Sequence, residues 1–164
     1  MPQPAEDLDE HDTTPWYEPG LHFSCAQCGN CCSGPSGYIW FEPEEGQAIA
    51  DRLGISHETF TEQYTVLLEG RPSLAEKRVG GAYDCIFLER HEDGRKTCTI
   101  YDVRPTQCRT WPFWDSNLES PRDWLAAGRS CHGMRDGGWG PQAKGQFFPV
   151  DQIRVRLEEN PEGL

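Results

Sequence analysis

Basic residues are missing from the first part of this sequence. No lysine or arginine precedes Arg52, while residues 1–51 contain ten aspartates and glutamates, so most of the formal net charge of −12 falls there. A chain this acidic, without a basic patch, lacks the positive charge that binds nucleic-acid phosphates or anionic membrane surfaces. We therefore expect neither nucleic acid nor a membrane among its partners.

Long apolar runs and aliphatic side chains are also scarce. The sequence contains no run of about 18 apolar residues, the minimum for a transmembrane helix. Leucine, isoleucine, valine and phenylalanine together supply 29 of the 164 residues. This is too few for a large apolar barrel or sandwich, so something besides aliphatic burial must help to hold the fold.

The N-terminal residues lack the basic and apolar regions of a secretory signal. Residues 1–19 are polar, acidic and rich in proline, and they predict a flexible acidic tail before one domain over residues 20–164. Without a signal peptide we expect a cytoplasmic protein, in which thiols stay reduced.

Cysteine, in contrast, is abundant. Cys25, Cys28 and Cys31 have the C-x2-C-x2-C spacing of iron–sulfur binding loops, although zinc knuckles also use C-x2-C. In a reducing compartment such a set favours metal ligation over disulfide bonds. We expect all eight cysteines to bind metal, namely Cys25, Cys28, Cys31, Cys32, Cys85, Cys98, Cys108 and Cys131.

The Cys31–Cys32 doublet raises the question of one centre or two. Because side chains of adjacent residues diverge in most backbone conformations, we expect Cys31 to join Cys25 and Cys28. Cys32 should then face the four later cysteines, with Cys108 crossing over to complete the first centre. The alternative is one centre, with Cys32 left as a free and reactive thiol.

Three residues near Cys108 are candidates for contacts around the cofactor. Arg104 and Arg109 flank this cysteine and can offset thiolate charge, unless they pair with surface acids instead. Trp111 is aromatic cover that keeps water from the centre.

The patterns predict an α+β fold, a small irregular metal-centred domain with short helices and a β-hairpin. A first helix is expected over residues 42–54, ending at Gly54, and a second after the N-cap Ser56 with Phe60, Tyr64 and Leu67 inward. Asp93-Gly94 predicts a hairpin turn. The other predicted elements are strands over 38–41, 84–89 and 96–100, short helices after Pro105 and over 120–128, and a last helix over about 150–159.

Several segments resemble the YkgJ-type CxxCxxCC cysteine-cluster family of zinc- or iron-chelating domains. They are FSCAQCGNCC, DCIFLE, TCTIYDVRPTQCRTWPF and CHG, and the resemblance covers about residues 21–135. All eight cysteines fall on positions of the family motif. The family is also similar to the iron–sulfur region of flagellin lysine N-methylases.

The resemblance implies a metal centre, and the loop spacing favours an iron–sulfur cluster (4Fe-4S) over Zn²⁺. Three functions follow: an iron–sulfur protein in redox chemistry or protein modification, a zinc-stabilised interaction module without catalysis, or an enzyme of the flagellin methylase type acting on a protein substrate. The sequence has no glycine-rich βα fingerprint for S-adenosylmethionine.

Overall fold

The structure, a computed structural model, describes residues 13–137 and 142–160, with the backbone alone at residues 135–137. It has the predicted α+β architecture. The helices are α1 (Pro43–Leu53), α2 (His57–Tyr64), α3 (Thr106–Thr110), α4 (Asp115–Leu118), α5 (Pro121–Gly128) and α6 (Val150–Glu159). Short 3₁₀ helices cover Asn30–Cys32, Tyr101–Val103 and His132–Gly137.

The strands form small antiparallel sheets. They are β1 (Leu21–Phe23), β2 (Ser33–Gly34), β3 (Thr65–Leu68), β4 (Arg71–Leu74), β5 (Glu76–Val79), β6 (Ala82–Cys85), β7 (Leu88–Arg90), β8 (Lys96–Cys98) and β9 (Gln146–Phe148). The pairs are β1 with β9, β3 with β4, and β7 with β8, while β6 lies between β2 and β5.

Local signals correctly predicted the helix ends. The backbone N–H of Glu42 donates to Glu45 Oε2 at 2.9 Å at the start of α1, and Gly54 ends this helix in the left-handed conformation, with φ 70°. The Oγ of Ser56 accepts from the backbone N–H of Thr59 at 3.1 Å and caps α2. Each contact satisfies backbone groups that a helix end leaves free.

Three details differ from the predicted elements. Helix α2 ends at Tyr64, so Leu67 lies on β3 with 74% of its surface exposed instead of pointing inward. The strand expected over residues 84–89 is divided between two strands. Its first part ends β6 at Cys85, and its last part belongs to β7, which pairs with β8 through the turn at Gly94. Of the strand expected at 38–41, the structure retains a single bridge from Trp40.

The core consists of two hydrophobic clusters. The first contains Leu21, Phe23, Phe113, Leu118, Trp124, Cys131, Met134, Phe148 and Ile153. The second contains Phe41, Ile49, Ala50, Phe60, Leu74, Phe87 and Ile100. Neither cluster is large, which agrees with the low aliphatic content of the sequence.

The end of the predicted tail contacts the first cluster. Trp16 and Tyr17 pack against it, and Trp16 Nε1 donates to the carbonyl oxygen of Leu118 at 2.7 Å. This part of residues 1–19 therefore packs against the domain, because its two aromatic rings bury apolar surface. The acidic composition of the segment as a whole had suggested a flexible tail. Residues 1–12 of the predicted tail lie outside the described residues.

Trp16→Ala is accordingly expected to lower the free energy of unfolding by about 2 kcal/mol, less than the full cost of removing a wholly buried tryptophan. Trp16→Phe keeps most of the ring contact and loses the indole hydrogen bond, so it should cost less. Thermal melting of both variants against the wild type tests this. An unchanged melting temperature for Trp16→Ala would show that these contacts add nothing to stability.

Candidate metal centre

The cysteines lie on separate local structures. Cys25 and Cys28 belong to the loop after β1, and the doublet follows in the 3₁₀ turn Asn30–Cys32. The four others are at the end of β6, at the end of β8, within α3 and just before the last 3₁₀ helix, as Cys85, Cys98, Cys108 and Cys131 respectively.

All eight cysteines line one cavity of about 350 Å³. Its remaining wall is largely apolar and aromatic. Phe23 and Cys131 of the first hydrophobic cluster contribute to this wall, as do Leu74 and Ile100 of the second. The thiols therefore lie between the two hydrophobic clusters.

The donor chemistry of this cavity fits a thiolate-bound metal, since eight cysteine sulfurs line it. In the described residues, no three side chains of histidine, cysteine, aspartate or glutamate are grouped so that they could hold a metal ion as they stand.

The cysteine doublet does not diverge as the sequence predicted. The Sγ atoms of Cys31 and Cys32 are 3.8 Å apart, and both residues line the same cavity. A tetrahedral ion with metal–sulfur bonds of about 2.3 Å also holds its sulfurs roughly 3.8 Å apart.

The two sulfurs differ in acidity. The hydrogen bond with Cys32 lowers the pKa of Cys31 to about 7, and the positive charges of Arg104 and Lys96 act in the same direction. The same hydrogen bond, with burial, raises the pKa of Cys32. One proton shared between the pair explains the opposite directions, since ionising the first thiol opposes ionising the second.

The other buried thiols hold their protons strongly. Burial raises the pKa of Cys85 to about 11. Burial is also the main cause of the raised pKa values of Cys98, Cys108 and Cys131. A metal must displace these protons when it binds, so binding will release protons and weaken at low pH.

Positive charge in the cavity wall comes from Arg104. It is the one lysine or arginine among the described residues that line the cavity. Its guanidinium lies 3.6 Å from the ring centre of Tyr101, and its Nε donates to the carbonyl oxygen of Tyr101 at 2.9 Å. These contacts hold a cation in the cavity wall, beside the thiols.

The two other candidates near Cys108 differ from each other in position. Trp111 lines the cavity, and its indole Nε1 donates to Cys131 Sγ at 3.4 Å. Arg109 is outside the cavity wall and lies 3.6 Å from Glu45, with a further bond to the carbonyl oxygen of Arg104. Successive residues of α3 face different directions, so flanking Cys108 in sequence did not bring both arginines to it.

An ion pair that was not among the predicted site residues links β7 to β6, the strand that ends at Cys85. Arg90 donates to both carboxylate oxygens of the fully buried Asp84, at 2.6 and 2.8 Å, and also to Ser33 Oγ at 3.0 Å. This pairing lowers the pKa of Asp84 to about 2. Ser33 follows Cys32 and Asp84 precedes Cys85, so the network fixes both cysteines to one sheet.

Comparison with known proteins gives the family of the domain. The model of the CxxCxxCC family, described as "Putative zinc- or iron-chelating domain", matches residues 24–132, which include all eight cysteines. The chain is 34% identical over 98 residues to the uncharacterized protein MJ0661 of Methanocaldococcus jannaschii, a match that covers 59% of this chain. It spans about half of that relative, 48% of its length. No solved structure matches.

The described helices are also too short or too polar to cross a membrane.

Proposed function

Because the chain belongs to the CxxCxxCC family of zinc- or iron-chelating domains, we propose that it binds iron as an iron–sulfur cluster, with [4Fe–4S] favoured. The ligands come from the eight cysteines of the cavity. The observation that carries the proposal is that all eight thiols line one cavity.

The cysteine spacing supports a cluster over a lone ion. The loop with Cys25, Cys28 and Cys31 has the C-x2-C-x2-C spacing of iron–sulfur loops. All eight thiols line one cavity of about 350 Å³, which leaves room for a group larger than one ion.

The residues around the thiols suit a charged, water-sensitive group. Arg104 offsets part of the thiolate charge. Trp111 donates its indole N–H to Cys131, and with Trp114 it forms an aromatic part of the cavity wall. Hydrogen bonds to sulfur and exclusion of water are two means by which proteins set a cluster's reduction potential.

When bound, an iron–sulfur cluster supplies electron transfer. We therefore place the protein in redox chemistry or in the modification of a protein substrate, in the cytoplasm.

Protein purified without oxygen should contain iron and acid-labile sulfide and show broad brown absorption. Elemental analysis, sulfide determination and a visible spectrum on the same sample provide the measurement. Colourless protein with stoichiometric zinc and no sulfide would overturn the cluster proposal.

That outcome would support the second candidate function, a zinc-stabilised interaction module. The observation that favours zinc is the 3.8 Å separation of the Cys31 and Cys32 sulfurs, which equals the edge of a tetrahedral thiolate site.

A further inference from the structure

One side chain joins three of the cysteine-bearing segments. The amide Nδ2 of Asn30 donates to the carbonyl oxygen of Ser130 at 2.7 Å. The Oδ1 of the same amide accepts from Lys96 Nζ. Asn30 precedes Cys31, Ser130 precedes Cys131, and Lys96 lies on β8, the strand that ends at Cys98. We refer to this arrangement of Asn30, Ser130 and Lys96 as the amide clasp.

The backbone is shaped to bring Asn30 into this position. Gly29 has φ 68°, in the left-handed region. A Cβ atom there would lie 2.8 Å from Lys96 Cβ and 2.9 Å from Leu88 Cδ1. Only glycine therefore lets the cysteine loop rest directly on the β7–β8 hairpin, and this contact places the amide of the next residue within reach of both partners.

We propose that Asn30 is a positioning residue for the metal centre, which it serves by holding the loop of Cys31, strand β8 and the segment of Cys131 at fixed separations. The inference rests on the proposed function. Without the clasp, three thiols that lie far apart in sequence would each depend on their own local structure, and the loop could move away from the other two.

The chemistry of the side chain explains why an amide stands here. Asparagine carries a donor and an acceptor on one short planar group. Aspartate can accept from Lys96 but cannot donate to the carbonyl of Ser130, and it adds negative charge beside the thiols. Alanine can do neither.

The test compares Asn30→Ala and Asn30→Asp with a matched control, Asn117→Ala. The amide of Asn117 also donates to a backbone carbonyl, that of Pro112 at 2.9 Å, but neither residue lines the cavity. Each protein is prepared with its metal bound. The rate of metal transfer to excess EDTA and the melting temperature are then measured on the same samples.

We expect Asn30→Ala to release metal at least about 10-fold faster than the wild type, which is the scale for residues that orient metal ligands. Asn30→Asp should also release faster, since it restores only the Lys96 contact. Asn117→Ala should lower the melting temperature to a similar extent and keep the wild-type release rate.

Equal release rates for Asn30→Ala and Asn117→Ala would overturn the positioning role, because both losses would then be general effects on stability. Wild-type protein that carries no metal would refute the proposed function itself. The two failures are thus distinguishable: the first occurs in protein that binds metal normally.

Discussion

Replacing Cys108 with serine should remove bound metal and abolish cooperative melting. Cys108 lies on α3 and lines the cavity between the two hydrophobic clusters. Structural metal binding contributes on the order of 10 kcal/mol to the folding of small domains, comparable to the whole stability of an ordinary domain at about 5–15 kcal/mol. The two hydrophobic clusters on either side of the cavity are modest, so we expect bound metal to supply a large part of the stability.

The measurement is metal content per chain together with a thermal melt followed by circular dichroism. Thr110→Ser is the matched control, because Thr110 is fully buried on the same helix but is not part of the cavity wall. It should keep the metal and a sharp transition. Stripping metal from the wild type should reproduce the Cys108→Ser melt, whereas a sharp transition in the metal-free protein would mean that the polypeptide alone holds the fold.

Cys31→Ser and Cys32→Ser should each remove the same metal. The two sulfurs are 3.8 Å apart and line one cavity, so we expect both to serve one metal centre. Each single variant should therefore lose that centre and fall to the same metal content. The double variant should fall no further, because both changes act on one centre.

If the double variant instead loses as much metal as the two single variants together, Cys31 and Cys32 serve different centres, as the sequence predicted. Full metal content in Cys32→Ser would identify that residue as a spare thiol. Ala26→Ser is the control, since it adds a serine hydroxyl to the same loop, within the cavity wall, and keeps every cysteine.

Elements defined by local chemistry were predictable. The capped start of α2, the glycine end of α1 and the Asp93-Gly94 turn each depend on residues within a few positions of one another. The amphipathic pattern of residues 150–159 likewise predicted the limits of α6. Errors occurred at two tight hairpins that the patterns did not predict. Cys85 ends β6 opposite the first residue of β5, and Leu67 faces solvent because its segment pairs with β4 through the turn at Gly70.

By itself, the sequence determined that the domain is built around thiols, because residue type and spacing suffice to specify metal-binding chemistry. Only the tertiary structure decided which groups surround them. Trp16 reaches Leu118 across 102 positions, and Asn30 reaches Ser130 across 100. Such contacts depend on how the whole chain closes around the cavity, and residues so far apart leave no periodic pattern in the sequence. The same closure turned Arg104 toward the thiols and Arg109 toward Glu45.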